Sequence, residues 1–408
     1  MFLSNDTIFE LEKEYGTPLY VYSEAILRER CREMKNLLPS KNLRVNYSAK
    51  ANTNLELLKI IRDEGLDVDA MSPGEIYIEQ LAGFDSKQIF FISNNVSAEE
   101  MRYAIDRNIL ISVDSLSQLE MYGQINPGGK VAVRFNPGKG AGHHEKVITA
   151  GEKTKFGVQK ELIPQVKAIV EKYNLTLEGI NQHIGSLFLD WQDYIEGVCS
   201  FLEIAKEFPN ISFLDIGGGF GVPYKPGESR LDLEKLGKEL DIVLTRFLEG
   251  YPNKEIEFKI EPGRYIVAEC GVLLGSINSV KKSYDTTYIG TDIGFNVLAR
   301  PVMYDSYHEV KIVKRNNKMN KNHTRVIATI VGNICESGDI LAHQREIPVA
   351  EVGDIITVFN AGAYGYVMSS NYNCRLRPAE VLIDLNGEAR LIRKRDTLES
   401  LVQNFISL

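Results

Sequence analysis

The feature that most constrains the fold is an alternation. Eight times in the first two thirds of the chain, a short β-branched run ends in polar or glycine residues and a helical pattern follows. The runs are LRVNYSA (43–49), LDVDAM (66–71), IFFIS (89–93), ILISVD (109–114), KVAVRFN (130–136), LEGINQHIG (177–185), ISFLDIGGG (211–219) and IEFKIEPG (256–263). Between them lie NLELLKIIRDEG, SPGEIYIEQLAG, SAEEMRYAIDRN, SLSQLEMYGQI, LIPQVKAIVEKYN, DYIEGVCSFLEIAKEF and LEKLGKELDIVLTRFLEG. Several of these begin at Ser, Asp or Asn and close at Gly or Asn, as helix caps do. Eight strands alternating with helices predict an α/β fold, a closed (β/α)8 barrel rather than an open doubly wound sheet.

From about residue 271 the texture changes. GVLLGSINSVKKS, TYIGTDIG, EVKIVKR, RVIATIVGN, DIITVFNAGAYG and AEVLIDLNGEARLIRK read as strands joined by turns, and LNGEARLI is a hairpin signal. The short strand PLYVYS (18–23) precedes the first barrel helix. The predicted division is a barrel over 25–270, with 1–24 and 271–408 forming a β-rich domain of barrel-like or sandwich-like build. A chain of 408 residues can fill two such cores.

The charge of −8 argues against a nucleic-acid partner, because phosphate binding needs a basic surface. The opening MFLSNDTIFELEKEYG carries acids and lacks the apolar core of a secretory signal. No run reaches the roughly 18 apolar residues of a membrane span. The five cysteines are scattered without CxxC spacing, which reads as reduced thiols in a cytoplasmic protein; no metal site is expected.

In a (β/α)8 barrel the reacting groups sit at the carboxyl ends of the strands. Those ends carry Lys50, Asp69, Arg134, His183-Ile184-Gly185-Ser186, Gly217-Gly218-Gly219-Phe220-Gly221 and Glu261-Pro262-Gly263-Arg264. Each has a plain reading: a lysine snorkelling from a strand end, a buried histidine, a tight glycine turn, a salt-bridged glutamate. Together they fit a narrower description. The glycine run lacks the Lys-Ser/Thr ending of a nucleotide loop, yet it can offer bare N–H groups to a phosphate. Loops after the last two strands are the usual phosphate site in barrels, and Glu261-Pro262-Gly263-Arg264 opens into an expected helix start. An amine, a phosphate cradle with Ser186, a flat imidazole and a carboxylate for a ring nitrogen point to pyridoxal 5'-phosphate held as a Schiff base on Lys50. The long loop FNPGKGAGHHEKVITAGEKTKFGV (135–158) is expected to carry function.

The β-rich part adds ICESGDIL (334–341), with Cys335 beside Glu336, and FNAGAYGYVMSSNYN (359–373), which offers Tyr364. GFNVLARPVMYDSYH (294–308) places Arg300 and Tyr304 four residues apart, on one helical turn or by coincidence.

SAKAN, HIGS, GGGFGVPY, EPGR, ARPVMYDSYH, CESGD, GAYG..MSSNYN and ARLIRKR occur in order from about Pro18 to Leu401. In these phrases the chain resembles the diaminopimelate decarboxylases, within the alanine-racemase-like and ornithine-decarboxylase-like pyridoxal phosphate enzymes. GAGHHEKVITAGEKTKFG also resembles that family's loop. The resemblance implies that Lys50 carries the cofactor and that Gly217, Gly218, Gly219, Ser186, Pro262, Gly263 and Arg264 bind its phosphate. It gives Glu261 the pyridine nitrogen, His183 the ring face and Arg134 the phenolic oxygen. Arg264, Arg300, Tyr304 and Glu336 would take the far end of the substrate. Cys335 would donate a proton, and Tyr364 would meet cofactor and substrate. It further implies a homodimer, with Cys335 and Glu336 reaching into the partner's barrel. The chain departs from the family at Asn296-Val297, at LFLDW after HIGS, and in CRLRPAEVL around Arg377.

The implied reaction is decarboxylation of the small amino acid meso-2,6-diaminopimelate to L-lysine, in lysine biosynthesis. Two cationic forks, Arg264 and Arg300, suit a distal carboxylate, and Glu336 suits a distal ammonium. The rivals are a related decarboxylase of D-ornithine, D-lysine or a carrier-linked amino acid, a silent pyridoxal-phosphate-binding protein, and an aldolase-type barrel using Lys50 directly.

Overall fold

Hydroxyl and carboxyl caps set the helix starts. Ser72, Ser97 and Ser115 accept N–H bonds from Glu75, Glu100 and Gln118 at the third helical position, Asp232 accepts from Lys235, and Asn54 accepts from Glu56. Ser97 and Glu100 form a complete capping box. The computed structural model describes residues 2–138, 141–142, 155–183, 185–315 and 324–406. It divides into one unit of residues 28–223 and 229–266, and another of 1–27, 224–228 and 267–408.

The first β-strand of the chain, β1 (Leu19–Ser23), belongs to the second of these units. The other unit holds β2 (Leu43–Ser48), β3 (Asp67–Ala70), β4 (Ile89–Ile92), β5 (Leu110–Val113), β6 (Lys130–Asn136), β7 (Thr176–Asn181), β8 (Phe213–Gly218) and β9 (Glu257–Glu261). All pair in parallel, in the order β5-β4-β3-β2-β9-β8-β7-β6, and β6 returns to β5 to close the barrel. The expected barrel is therefore present. Seven of its strands sit within two residues of the predicted runs at both ends; β7 stops at Asn181 and leaves His183 beyond its end.

Strands covered on both faces read as continuous apolar runs, and Asp67–Ala70 and Ile89–Ile92 are buried throughout. Phe90, Ile92, Ala132 and Phe213 form a core cluster, with the Phe90 and Phe213 rings edge to face at 5.5 Å. Arg44 on β2 binds Asp67 on β3 at 2.7 Å and Glu257 on β9 at 3.0 Å, tying three neighbouring strands. The barrel interior is not uniformly apolar. Ser48, Asp69, Ser112, Asn181 and Asp215 are buried on inward strand positions, and Ser112 donates to Asn181 at 2.6 Å.

In the other unit β1 lies between two partners. It pairs antiparallel with β10 (Gly271–Ser283) and parallel with β16 (Ala379–Ile383). The sheet extends through β11 (Thr286–Thr291), β13 (Arg325–Val331) and β14 (Ile340–Pro348). On another path, β12 (Val310–Val313) pairs with β15 (Ile355–Val358), which joins β10. The expected hairpin forms, with β16 antiparallel to β17 (Ala389–Arg393). Leu3, Ile8, Leu11, Leu19, Val21, Val272, Leu274, Val313, Ile355, Ala379 and Val381 make its core. No helix among the described residues is long and apolar enough to cross a membrane.

Candidate active site

Lys50 sits two residues past the end of β2, in a single 3-10 turn over Ala49–Ala51. Tyr47 locks this turn by donating its hydroxyl to the Asn52 carbonyl at 3.0 Å, and Asn52 N–H bonds Ala49 O. The lysine is thus fixed at the carboxyl end of the barrel. Beside it on β3, Asp69 is fully buried and accepts from Ser48 Oγ at 2.7 Å. Burial raises the Asp69 carboxyl well above the usual range, the nearby Glu261 adds to this, and the Lys50 charge opposes it.

Glu261 closes β9 and is 3% exposed. Asp215 on β8 is fully buried, and its Oδ1 accepts from Gly217 N–H at 2.9 Å. Glu261 Oε1 and Asp215 Oδ2 find no donor if both groups are ionised. One proton shared between the carboxyls satisfies both, and the two groups do form a side-chain hydrogen bond. Burial first, then the Asp215 charge, lifts Glu261 well above a normal glutamate, and burial lifts Asp215 to about 6. His183 Nδ1 stands 3.7 Å from Glu261 Oε2. Burial, aided by the positive charges of Lys50 and Arg134, pushes the imidazole well below its ordinary value, so the ring is neutral. Arg134, 9% exposed on β6, donates to the His183 carbonyl at 3.4 Å and lies 4.7 Å over the Phe156 ring.

The glycine turn is shaped by close approach. A Cβ on Gly217 would stand 2.4 Å from the Gln182 carbonyl, on Gly218 1.9 Å from the Glu261 carbonyl, and on Gly219 2.5 Å from the Phe188 ring. Gly217 and Gly219 also hold φ of +78° and +105°, a region that favours glycine. The turn therefore lies flush against its neighbours, with the Gly217 N–H given to Asp215 and the Gly219 carbonyl accepting from Phe188. Pro262 carbonyl accepts from Ser48 N–H at 3.2 Å, and a Cβ on Gly263 would press on Ser48 at 3.0 Å. Arg264 donates to Ser186 Oγ at 3.0 Å. The expected helix start here is only the single turn Arg264–Val267, too short for a useful axial dipole, so the backbone cradle and Arg264 are what an anion would meet.

The barrel therefore gathers Lys50, Arg134, His183, Ser186, Gly217, Gly218, Gly219, Glu261, Pro262, Gly263 and Arg264 at its carboxyl end. A pyridoxal phosphate fits this set. The side-chain-free glycine turn and Arg264 suit its phosphate, a neutral flat imidazole suits its ring, and a buried carboxyl pair holding a proton suits a basic ring nitrogen. Asp215 was not among the expected site residues. Its signal lay in DIGGG, an acid two residues before the glycine turn that it buttresses. Residues 139–140, 143–154 and 184, which include most of the expected functional loop and Ile184, lie outside the described residues.

The remaining expected residues belong to the other unit. Arg300 and Tyr304 do share one helical turn, Arg300–Tyr304. Arg300 is 2% exposed and Tyr304 is half-buried. Cys335 is an exposed free thiol whose N–H donates to Asn373 Oδ1 at 2.8 Å. Glu336 accepts from the Tyr372 hydroxyl at 2.5 Å. Tyr364 holds a left-handed backbone with φ +56°. His308, at the end of the same motif as Arg300, was not singled out.

Residues 24–268 match the family of pyridoxal-dependent decarboxylases, over its pyridoxal binding domain. The diaminopimelate decarboxylase of Methanothermobacter thermautotrophicus is 40% identical, covering 97% of this chain and 92% of its own. The Escherichia coli K12 enzyme of the same name is 33% identical over 98% and 96% of the two chains. The crystal structure of the M. jannaschii diaminopimelate decarboxylase in complex with L-lysine superposes with a TM-score of 0.88 at 31% identity, over 98% and 94% of the chains. With the model match and these full-length relatives, the chain belongs to the pyridoxal-dependent decarboxylases, in the diaminopimelate decarboxylase family.

Proposed function

We propose that this chain is a carboxy-lyase that converts meso-2,6-diaminopimelate to L-lysine and CO2 with pyridoxal phosphate, as a step of lysine biosynthesis. The observation that carries the reading is the barrel mouth, where Lys50, a neutral His183, the Glu261–Asp215 carboxyl pair and the glycine cradle stand together. Relatives of 33–40% identity bear the name of this activity, and the M. jannaschii structure holds its product, L-lysine.

Bound in the barrel, pyridoxal phosphate supplies an electron-accepting ring for the pair left on Cα when CO2 departs. Lys50 would hold the coenzyme through its ε-amine. The glycine turn of Gly217, Gly218 and Gly219, with Ser186, Pro262, Gly263 and Arg264, would retain the phosphate. Glu261 would keep a proton at the ring nitrogen, with His183 toward the ring and Arg134 toward its oxygen. Arg264, Arg300, Tyr304 and Glu336 orient the distal end of the amino acid, and Tyr364 touches substrate and coenzyme. Cys335 delivers the proton that replaces CO2. The active form is a homodimer in the cytoplasm, with Cys335 and Glu336 serving the partner's barrel; neither nucleic acid nor membrane takes part.

The test is CO2 release from both enantiomers of lysine, ornithine and arginine and from the diaminopimelate isomers. Release from meso-diaminopimelate alone, with L-lysine as product, is expected. Consumption of ornithine or arginine instead would overturn the substrate and leave the cofactor standing.

A further inference from the structure

Arg300 and His308 are both almost fully buried, 2% and 1% exposed, although each carries a polar head group. Arg300 Nη1 lies 2.8 Å from His308 Nε2, and His308 Nδ1 lies 2.8 Å from the Phe359 carbonyl oxygen. A guanidinium only donates and a carbonyl only accepts. The imidazole must therefore be neutral, with its proton on Nδ1, donating to Phe359 and accepting from Arg300. Tyr224 completes the setting. Its ring lies 4.6 Å from the Arg300 guanidinium carbon, and it meets the His308 ring edge-on at 5.3 Å.

The two ends of this link differ in rigidity. Arg300 opens a helix of a single turn, Arg300–Tyr304, that closes at Asp305 in a left-handed conformation. His308 stands two residues before β12, and Phe359 directly follows β15. Those strands are paired antiparallel from Val310↔Val358 inward, and Phe359 N–H continues the ladder to the Glu309 carbonyl at 2.9 Å. The imidazole thus transmits the position of a sheet to a guanidinium carried on one helical turn.

We propose that His308 is a positioning residue that sets substrate preference, by holding the Arg300 guanidinium where it grips the distal carboxylate of the substrate. This rests on the role given above to Arg300. A bidentate arginine–carboxylate pair depends on the orientation of a planar fork, and losing one of the bonds that fix the fork weakens it. His308 acts through Arg300, so its loss falls on binding rather than on the bond-breaking step.

Two replacements separate the two halves of the imidazole. In His308→Asn the amide N–H overlays Nδ1 and keeps the Phe359 bond, but the side chain is too short to reach Arg300. In His308→Gln the amide oxygen reaches the Nε2 position and restores the acceptor. Steady-state CO2 release from meso-diaminopimelate is measured for both, with Arg300→Ala as reference and cofactor absorbance as the check on folding. The expected result is a KM raised about 10- to 100-fold in His308→Asn, the loss of one charge-assisted hydrogen bond, with a much smaller change in kcat. His308→Gln recovers most of the KM. An unchanged KM in His308→Asn, with Arg300→Ala impaired, overturns the proposal alone. An unchanged KM in Arg300→Ala overturns the role of Arg300 and the proposal with it. Equal loss of kcat, KM and cofactor content in both histidine variants shows a merely structural histidine and also refutes it.

Discussion

Replacing Gly218 by alanine tests the phosphate cradle with one methyl group. The new Cβ would lie 1.9 Å from the Glu261 carbonyl oxygen, where ordinary contact needs about 3.5 Å. Gly218 and Glu261 are paired across β8 and β9, so the obstacle is backbone and no side chain can swing aside. The strand ends must part by roughly 1.5 Å to reach normal contact. A shift of that size lengthens an amide-to-phosphate bond from about 2.9 Å to beyond hydrogen-bonding range. Each such bond to a charged group is worth about 1.5–3 kcal/mol, so losing one weakens cofactor affinity about 10- to 100-fold. The strain of overpacking adds about 1–3 kcal/mol of instability. The assay is titration of the apoprotein with pyridoxal phosphate, followed by absorbance, beside a thermal melt. Gly250→Ala is the control, because its Cβ meets nothing within 4 Å and its φ is unexceptional. A Gly218→Ala protein that binds pyridoxal phosphate within about threefold of the parent would refute the cradle, since even one lost bond exceeds that.

Lys50→Ala should abolish borohydride-fixed cofactor label in the peptide containing position 50 and leave CO2 release at background; label elsewhere in the chain would contradict the assignment. Glu79 on the helix Pro73–Leu81 is fully buried, and burial, with Glu75 and Asp69 adding, raises its carboxyl from 4.5 to about 9. A raised folded-state value means the native chain holds the proton longer, so stability is full below about pH 4.5 and falls as pH climbs toward 9. Glu79→Gln should therefore gain in melting temperature over the parent as pH rises from 5 to 9, and parallel curves would exclude this. Ser97→Ala removes one half of a capping box and should cost about 1 kcal/mol in urea unfolding while KM stays constant.

The barrel was legible because its signals are local. Runs such as IFFIS and ILISVD are short, apolar and bounded, and the caps Ser72, Ser97 and Ser115 mark where the helices begin. Lys50, His183 and Glu261 could be found because a barrel puts its chemistry at strand ends, which chain order alone locates. What stayed hidden depends on pairing between distant segments. Nothing local says that Asp215 and Glu261, on neighbouring strands, face each other closely enough to share a proton. His308 meets Phe359 only because β12 and β15 pair, a register no periodicity reports. The placing of residues 224–228 with the β-rich unit is likewise a matter of packing, and it is what brings Tyr224 to Arg300.

The electrostatics of the barrel mouth follow one rule. Burial pushes Asp69, Asp215 and Glu261 toward their protonated forms, and pushes His183 toward its neutral form. Each shift removes a charge from a site of low polarisability, which lowers the cost of keeping so many polar groups out of water. On the reading proposed above, a phosphate would meet Arg264 and a ring nitrogen would meet Glu261, and the proton that burial keeps on the Glu261–Asp215 pair would be available to that nitrogen. A charged His183 would work against this, because a second cation beside the ring would disfavour a proton on its nitrogen, and burial keeps the imidazole neutral.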